Sequence, residues 1–113
     1  MTPYQLIFYE TAQGKVPCQR WLKGLRDVKG VAKIQTRLNR LSLGYRGDSK
    51  SLKNGVKELR VDYGPGYRVY FAEIKTRSEI KILLLGGTKK TQQRDIEKAV
   101  AYWECYKKRF KHE

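Results

Sequence analysis

The sequence predicts an α+β fold, in which a small antiparallel sheet is combined with helices. Several stretches carry apolar residues at helical spacing, whereas two others alternate polar and apolar residues as half-buried strands do. Gly64-Pro65-Gly66 lies between the two alternating stretches and predicts a tight turn, because proline presets φ and glycine accepts a positive φ. The length of 113 residues suits one domain with a real core, so we expect residues 1–113 to form a single domain.

The first half of the chain predicts a strand followed by two helices. Residues 4–9 alternate as a short strand, and residues 17–25 form a helix with proline in its first turn. Residues 26–30 predict a turn, and residues 31–43 predict the clearest helix, which Gly44 ends. The apolar side of this helix consists of Val31, Ile34, Leu38 and Leu41.

A second stripe on the same helix contains only basic residues. Lys33, Arg37 and Arg40 are turned away from the apolar side. Three interpretations remain open for this stripe: contact with phosphate, contact with an acidic antagonist, or exposure to water. Residues 45–54, which follow the helix, are polar and predict an irregular loop.

Residues 55–71 predict a hairpin, which we expect to be the central element of the fold. Its apolar set consists of Leu59, Val61, Val69 and Phe71. If this set faces one core, Arg60, Arg68 and Tyr70 lie together on the opposite face. Two guanidiniums and a phenol on one rigid surface suit an anion site, and a solvated sheet face is the alternative.

The second half predicts a buried strand and a long helix. Residues 75–79 predict a polar turn, and residues 80–85 are apolar on both sides, so helices should cover both faces of the sheet there. Gly86-Gly87 predicts a glycine-rich exit that lacks the Gly-Lys-Ser/Thr order of a phosphate-binding loop. Thr91 is the expected cap of the final helix. The buried side of that helix is predicted to contain Ile96, Ala99, Val100, Trp103, Tyr106 and Phe110.

The charge of the chain points to an anionic partner. Lys and Arg number 25 against 11 acidic residues, which gives a formal net charge of +14. Because so much positive charge repels itself, the composition favours a polyanion such as nucleic acid, an acidic membrane surface or an acidic protein. A generically basic surface is the alternative interpretation.

The remaining composition argues against several classes of site. Cys18 and Cys105 have no motif spacing and are expected to be reduced thiols in a cytoplasmic protein. With His112 as the single histidine, the sequence predicts no metal cluster, no cofactor and no Cys/His or Ser/His/Asp arrangement. It also predicts no signal peptide and no membrane span.

Motifs spread over nearly the whole chain carry a family resemblance. The chain resembles the RelE/ParE toxin superfamily, and within it the HigB-like, phage Gp49-like addiction-module killer proteins. The resemblance depends on the order and spacing of these pieces together. They are Pro17 through Trp21-Leu22 to Leu25, Arg37-Leu38-Asn39-Arg40-Leu41, Leu43-Gly44 with Gly47-Asp48, Gly55-Val56 with Glu58-Leu59-Arg60, Asp62 through Phe71, and Gly86-Gly87 followed by Lys89, Thr91-Gln92 and Arg94-Asp95-Ile96.

The resemblance implies the toxin of a type II toxin–antitoxin module, which blocks translation in the bacterial cytoplasm. Many such toxins cleave mRNA in the ribosomal A site without a metal, so the implied partners are mRNA, the ribosome and a cognate antitoxin of helix-turn-helix type. The ParE branch instead inhibits DNA gyrase by binding alone, and a member that only binds RNA is a third possibility. The implied RelE-like fold is a small curved antiparallel sheet with two N-terminal helices and a C-terminal helix.

The resemblance also implies catalytic residues. In such cleavage a ribose 2′-hydroxyl attacks the adjacent phosphate, which requires a base, an acid and charge stabilisation. Without a usable histidine, proton transfer falls to lysine, tyrosine or a carboxylate. Arg68 matches the arginine that follows Gly-Tyr in RelE-type sequences, and Arg60 and Lys89 stand where such toxins carry basic residues. We expect both arginines to stabilise the phosphate and Lys89 to act as a second clamp or proton donor.

Further residues are expected to support RNA binding, and two positions differ from the family pattern. The residues expected to support RNA binding are Lys53, Tyr70, Lys90 and Arg94. Glu58 shares a face with Arg60 and is either a base or its salt-bridge partner. Thr88 stands where the family often has an acidic residue. His112 lies beyond the matched motifs, whereas some HigB-type toxins use a histidine near the end of the fold.

Overall fold

The computed structural model describes residues 4–75 and 79–110, and it has the predicted α+β architecture. His112 and residues 76–78 of the predicted polar turn lie outside the described residues. Within the described part of the chain, one five-stranded sheet packs against three helices. The strands are β1 (Gln5–Phe8), β2 (Ser49–Ser51), β3 (Lys57–Val61), β4 (Tyr67–Lys75) and β5 (Glu79–Thr88), and the helices are α1 (Pro17–Gly24), α2 (Val28–Ser42) and α3 (Gln92–Arg109), with a 3-10 turn at Lys89–Thr91.

The sheet is mixed, so the expectation of a wholly antiparallel sheet is wrong at one edge. The strand order is β1-β5-β4-β3-β2, and β1 runs parallel to β5, with Gln5 opposite Ile80. The other three pairings are antiparallel. Alternation within a short strand fixes which side chains face the core, but it does not fix the direction in which the strand joins the sheet.

Two predicted boundaries also change. The expected loop at residues 45–54 contains β2, a polar edge strand in which Ser49 pairs with Leu59 and which shows no apolar alternation. The expected turn at residues 26–30 contains the first turn of α2, because the Asp27 carboxylate accepts the Gly30 N–H at 3.0 Å and caps the helix. The hydrogen bond from Gly30 and a second from the Tyr67 hydroxyl lower the pKa of Asp27.

The core consists of two layers on opposite faces of the sheet. Leu83 belongs to the layer under α1 and α2, whereas Ile82 and Leu84 belong to the layer under α3. The prediction that residues 80–85 are covered on both faces is therefore confirmed. The hairpin pattern is confirmed as well, since its four apolar residues lie in the first layer: Leu59, Val61, Val69 and Phe71.

Gly86 and Gly87 form part of β5, so the expected glycine-rich exit is still strand. A Cβ at Gly86 would overlap the Trp21 ring on one face, and a Cβ at Gly87 would overlap the Asp95 carboxylate on the other. The two glycines therefore allow α1 and α3 to approach the sheet closely from opposite sides.

The final helix differs from its prediction at both ends. Thr91 occupies the N-cap position, but its hydroxyl donates to the Asp95 carboxylate at 2.5 Å and caps no backbone N–H of the helix. Ala99 and Trp103 are buried as expected, whereas Phe110 is 49% exposed because it follows the last residue of α3. None of the helices within residues 4–75 and 79–110 is long and apolar enough to cross a membrane.

Both cysteines are free thiols, as expected. Cys18 is buried in the first core layer, and this burial raises the pKa of its thiol to about 12. Cys105 is exposed on α3.

A buried ion cluster joins β3, β4, β5 and the segment before β2. The Glu73 carboxylate, 2% exposed, contacts the Lys81 ammonium, the Lys57 ammonium at 3.0 Å and the Arg46 guanidinium at 2.8 Å. Lys81 is itself 1% exposed and lies 4.6 Å from the centre of the Tyr4 ring. Burial alone would raise the pKa of Glu73, but the hydrogen bonds from Lys81 and Lys57 outweigh it and lower the pKa to about 2.

We predict that Glu73→Gln lowers the free energy of unfolding by about 3 kcal/mol, because the buried Lys81 ammonium loses its closer counter-ion and keeps only the longer contact with Glu79 at 3.3 Å. Glu104→Gln is the matched control, since Glu104 and Lys107 form an exposed pair on α3 and its loss should cost less than about 1 kcal/mol. Urea denaturation measures both values. Equal losses in the two variants would show that the Glu73 cluster is not a stabilising interaction.

The lowered pKa of Glu73 predicts a pH dependence of stability. The ordinary pKa is 4.5 and the folded pKa is about 2, so the carboxylate contributes fully above pH 4.5 and this contribution is lost as the pH falls through about 2. The difference in unfolding free energy between wild type and Glu73→Gln should be constant near neutral pH and vanish in strong acid. A difference that does not change with pH would contradict the assignment.

Candidate functional site

Arg60 and Arg68 lie directly opposite each other in the β3–β4 ladder, one residue from the hairpin turn on each strand. Both point to the face covered by α3, because their neighbours Leu59, Val61 and Val69 face the other core layer. Like charges at directly opposite positions destabilise a sheet. A shared anion is therefore needed to hold the two guanidiniums together.

Glu58 supplies that anion from within the sheet. Its carboxylate is 0% exposed and accepts hydrogen bonds from Arg60 Nε at 2.8 Å and from Gln92 Nε2 at 2.6 Å. Arg68 Nε lies 3.9 Å from the same carboxylate. The hydrogen bond with Glu58 raises the pKa of the Arg60 guanidinium above its ordinary value. Of the two roles expected for Glu58, the structure supports the salt bridge with Arg60.

The Arg68 guanidinium makes only weak contacts with the described residues. The side chain is 9% exposed, and Nη1 donates a long hydrogen bond of 3.4 Å to the Tyr67 carbonyl. Among the described residues, its buried Nε has no hydrogen-bond partner. The charge of this guanidinium is therefore compensated only weakly, by Glu58 at 3.9 Å, and a further anion would stabilise it.

The two arginines and Lys89 line one cleft of about 310 Å³, which we call the arginine cleft. The hairpin turn forms its wall, and Gly66 has a φ of 76°, as the turn prediction requires. The Lys89 N–H donates to the Gly66 carbonyl at 2.8 Å, which holds the 3-10 turn against the hairpin. A Cβ at Gly66 would lie 3.3 Å from the Lys89 Cβ, so glycine permits this close approach.

The residues expected to bind RNA are not brought together in this cleft. Lys53 precedes β3 and therefore lies at the opposite end of that strand from Arg60. Lys90 and Arg94 are exposed beside the start of α3, but they do not line the cleft.

Tyr70 lies in the core, so the expectation that it contacts RNA is not supported by its position. Its side chain is 0% exposed beneath α3, which covers this part of the hairpin face. Burial raises the pKa of the Tyr70 phenol, and the charges of Glu58 and Asp95 raise it further. The phenol therefore stays protonated, and within the described part of the chain its hydroxyl has no hydrogen-bond partner.

Arg37 of the basic stripe makes hydrogen bonds within the fold, which differs from all three interpretations left open for that stripe. Its guanidinium donates to the Arg60 carbonyl, to the Arg46 carbonyl at 3.0 Å and to the Asp48 carbonyl at 3.4 Å. These bonds attach the segment before β2 to the end of β3. Long-range contacts of this kind leave no periodic signal in a sequence.

Two carboxylates of the cleft, Asp48 and Asp62, were not singled out from the sequence as site residues. Both lie in motif segments that carry the family resemblance, one after Gly47 and the other before the hairpin turn. The turn brings Asp62 beside the arginines, and the backbone N–H of Arg60 donates to the Asp48 carbonyl at 2.8 Å. The position of Asp48 and Asp62 within these motif segments is the sequence signal that could have identified them as site residues.

The arginine cleft thus combines three cations with two carboxylates. Its guanidiniums suit the paired oxygens of a phosphate, and its ammonium and carboxylates provide a proton donor and a proton acceptor. Among the described residues, no group of three or more His, Cys, Asp or Glu side chains is arranged to hold a metal ion. The fold and site define an α+β protein with a basic cleft suited to anions.

Comparison with known proteins gives a relative for this chain. A Haemophilus influenzae (strain Rd) protein, described as an uncharacterized protein, is 45% identical over 80 residues, which are 70% of this chain and 78% of the relative. The chain therefore belongs to the same family as this Haemophilus protein. No protein-family model matches the chain.

We predict that Glu58→Gln lowers the free energy of unfolding by about 2 kcal/mol, because it removes the anion shared by Arg60 and Arg68 while conserving shape. Glu97→Gln is the control, since Glu97 stands on the same helix as Gln92 and its substitution should change stability by less than about 0.5 kcal/mol. Chemical denaturation checks both. If the two variants are equally stable, Glu58 is not the counter-ion of the arginine pair.

Proposed function

We propose that this protein is the toxin of a type II toxin–antitoxin module, a HigB-like member of the RelE/ParE superfamily. Its activity would be metal-independent, ribosome-dependent cleavage of mRNA. The observation that carries the proposal is the convergence of Arg60, Arg68 and Lys89 on the arginine cleft. Strand alternation predicts that Arg60 and Arg68 share a hairpin face and the resemblance adds Lys89, so the three residues come from three different elements of the fold.

The proposal includes a RelE-like fold. Helices α1 and α2 on one face of the sheet and α3 on the other support this assignment. The parallel pairing of β1 with β5 departs from the expected antiparallel arrangement.

In the proposed reaction, the ribose 2′-oxygen forms a bond to the adjacent phosphorus and the bond from phosphorus to the 5′-oxygen breaks. The products are a 2′,3′-cyclic phosphate and a 5′-hydroxyl. Arg60 and Arg68 bind the non-bridging oxygens, whose negative charge grows in the transition state. Lys89 gives a proton to the departing 5′-oxygen, and Asp48 or Asp62 accepts the proton of the attacking hydroxyl.

The charge of the protein supports a ribosomal target. A net charge of +14 attracts RNA through sequence-independent phosphate contacts, which suits docking on ribosomal RNA in the cytoplasm. The same field would attract a cognate antitoxin of the helix-turn-helix type, which would inhibit the toxin by covering the arginine cleft.

We predict that Arg68→Ala lowers the rate of mRNA cleavage by at least roughly 100-fold, because it removes a preorganised donor to the transition state. Arg68→Lys should fall between this variant and wild type, since lysine keeps the charge but cannot bind two oxygens in a planar fork. Arg20→Ala, at an exposed position on α1, is the matched control and should cleave as wild type does. The assay translates a defined mRNA on purified ribosomes and maps new 3′ ends by primer extension.

Toxin-dependent ends within A-site codons that disappear with Arg68→Ala would support the proposal. Intact mRNA combined with growth arrest in cells would overturn it and favour the alternative, a ParE-like inhibitor of DNA gyrase. In that case Arg68→Ala should leave the arrest unchanged.

A further inference from the structure

A second basic groove lies between α2 and the end of β3. It encloses about 360 Å³, and we call it the α2 groove. Its cations come from one face of α2, because the spacing from Lys33 to Arg37 and then to Arg40 corresponds to one and two helical turns. The polar Thr36 stands among them, and Val61 and Asp62 of the hairpin form the facing wall.

The α2 groove has an excess of positive charge. Lys33, Arg37 and Arg40 outnumber the single lining carboxylate of Asp62, and Asp48 acts on Arg37 from outside the lining. Burial lowers the pKa of Arg37 and the charge of Arg40 lowers it further, while Asp48 opposes both. An anion in the groove would relieve this repulsion.

The α2 groove and the arginine cleft adjoin at Asp62, although they open toward opposite faces of the sheet. Asp62 lines both, at the point where β3 ends and the hairpin turn begins. Arg37, whose side chain lines the groove, donates to the carbonyl of Arg60, whose own side chain lines the cleft. An extended chain held in the cleft would reach the groove by passing Asp62 at the end of β3.

We propose that the α2 groove binds the sugar–phosphate backbone of the single RNA strand whose scissile phosphate lies in the arginine cleft. The identity of this occupant as RNA rests on the proposed function. The excess positive charge of the groove and its shared boundary with the cleft both favour a polyanion that extends beyond one phosphate. Lys33 and Arg40 would contact neighbouring phosphates, and Arg37 would hold the two sites in register.

The experiment measures binding apart from cleavage. The probe is a short, fluorescently labelled 2′-O-methyl RNA, which cannot be cleaved because the attacking hydroxyl is blocked. Fluorescence anisotropy gives its affinity over a series of salt concentrations. We predict that Lys33→Ala/Arg40→Ala binds about tenfold more weakly than wild type and that its salt slope falls by about 1.4, twice the value of roughly 0.7 for one single-strand phosphate contact.

A matched variant controls for net charge. Lys23→Ala/Lys108→Ala removes the same charge from exposed positions on α1 and α3 and should keep the wild-type slope. Lys33 and Arg40 are themselves exposed, and the Lys33 ammonium lies 5.1 Å from the centre of the Tyr63 ring, so their loss should change thermal unfolding only slightly. Thr36→Glu, which adds an anion to the groove without removing a cation, should also weaken binding.

Equal weakening in the groove and control variants, or an unchanged salt slope, would overturn the proposal. Weaker binding with Arg68→Ala but not with the groove variant would also overturn it, while leaving the arginine cleft as an RNA site. A selective groove effect in a protein that does not cleave mRNA on the ribosome would uphold the groove and refute the ribonuclease function. If the groove variant lost antitoxin binding but kept RNA binding, the groove would bind an acidic protein partner. This outcome would also overturn the proposal.

Discussion

The buried carboxylate of Glu58 connects the candidate site to the rest of the fold. It accepts hydrogen bonds from Arg60 in its own strand and from Gln92 at the start of α3. A carboxylate removed from water costs several kcal/mol unless its partners compensate, so these donors are held where the anion requires them. Arg60 and Arg68 can therefore stand directly opposite each other. The geometry of the arginine cleft and the docking of α3 depend on the same interaction.

Close approaches between backbone and side chains reinforce this connection. Gly87 allows the Asp95 carboxylate to pack on β5. This carboxylate also accepts a hydrogen bond from the hydroxyl of Thr91 at the start of α3. Because Gly66 has no side chain, Lys89 can approach the hairpin turn closely and donate its N–H to the Gly66 carbonyl. Each contact joins the hairpin or the last strand to the segment from Lys89 to the start of α3. Preorganised donors of this kind stabilise a transition state more effectively than donors that must first be ordered.

The sequence predicts the shared face of Arg60 and Arg68 because every second side chain of a hairpin points to one side. The same period does not reveal how far a helix extends over that face, which is why Tyr70 was expected at the surface and lies in the core. Strand direction at a sheet edge has no signal in alternation, so the parallel pairing of β1 was missed. The hydrogen bonds of Arg37 could not be predicted either, since their acceptors are backbone carbonyls that are distant in the sequence.

Some of the acidic residues of this basic protein make contacts inside the fold. Glu58 and Glu73 neutralise cations that converge in the fold, whereas Asp27 and Asp95 accept hydrogen bonds from uncharged donors. The surface cations are left with few partners, and their repulsion works against the compact state. The internal anions offset this repulsion where cations lie closest together. Contacts within the fold therefore form the arginine cleft, so that an anion bound there would not carry the cost of assembling it.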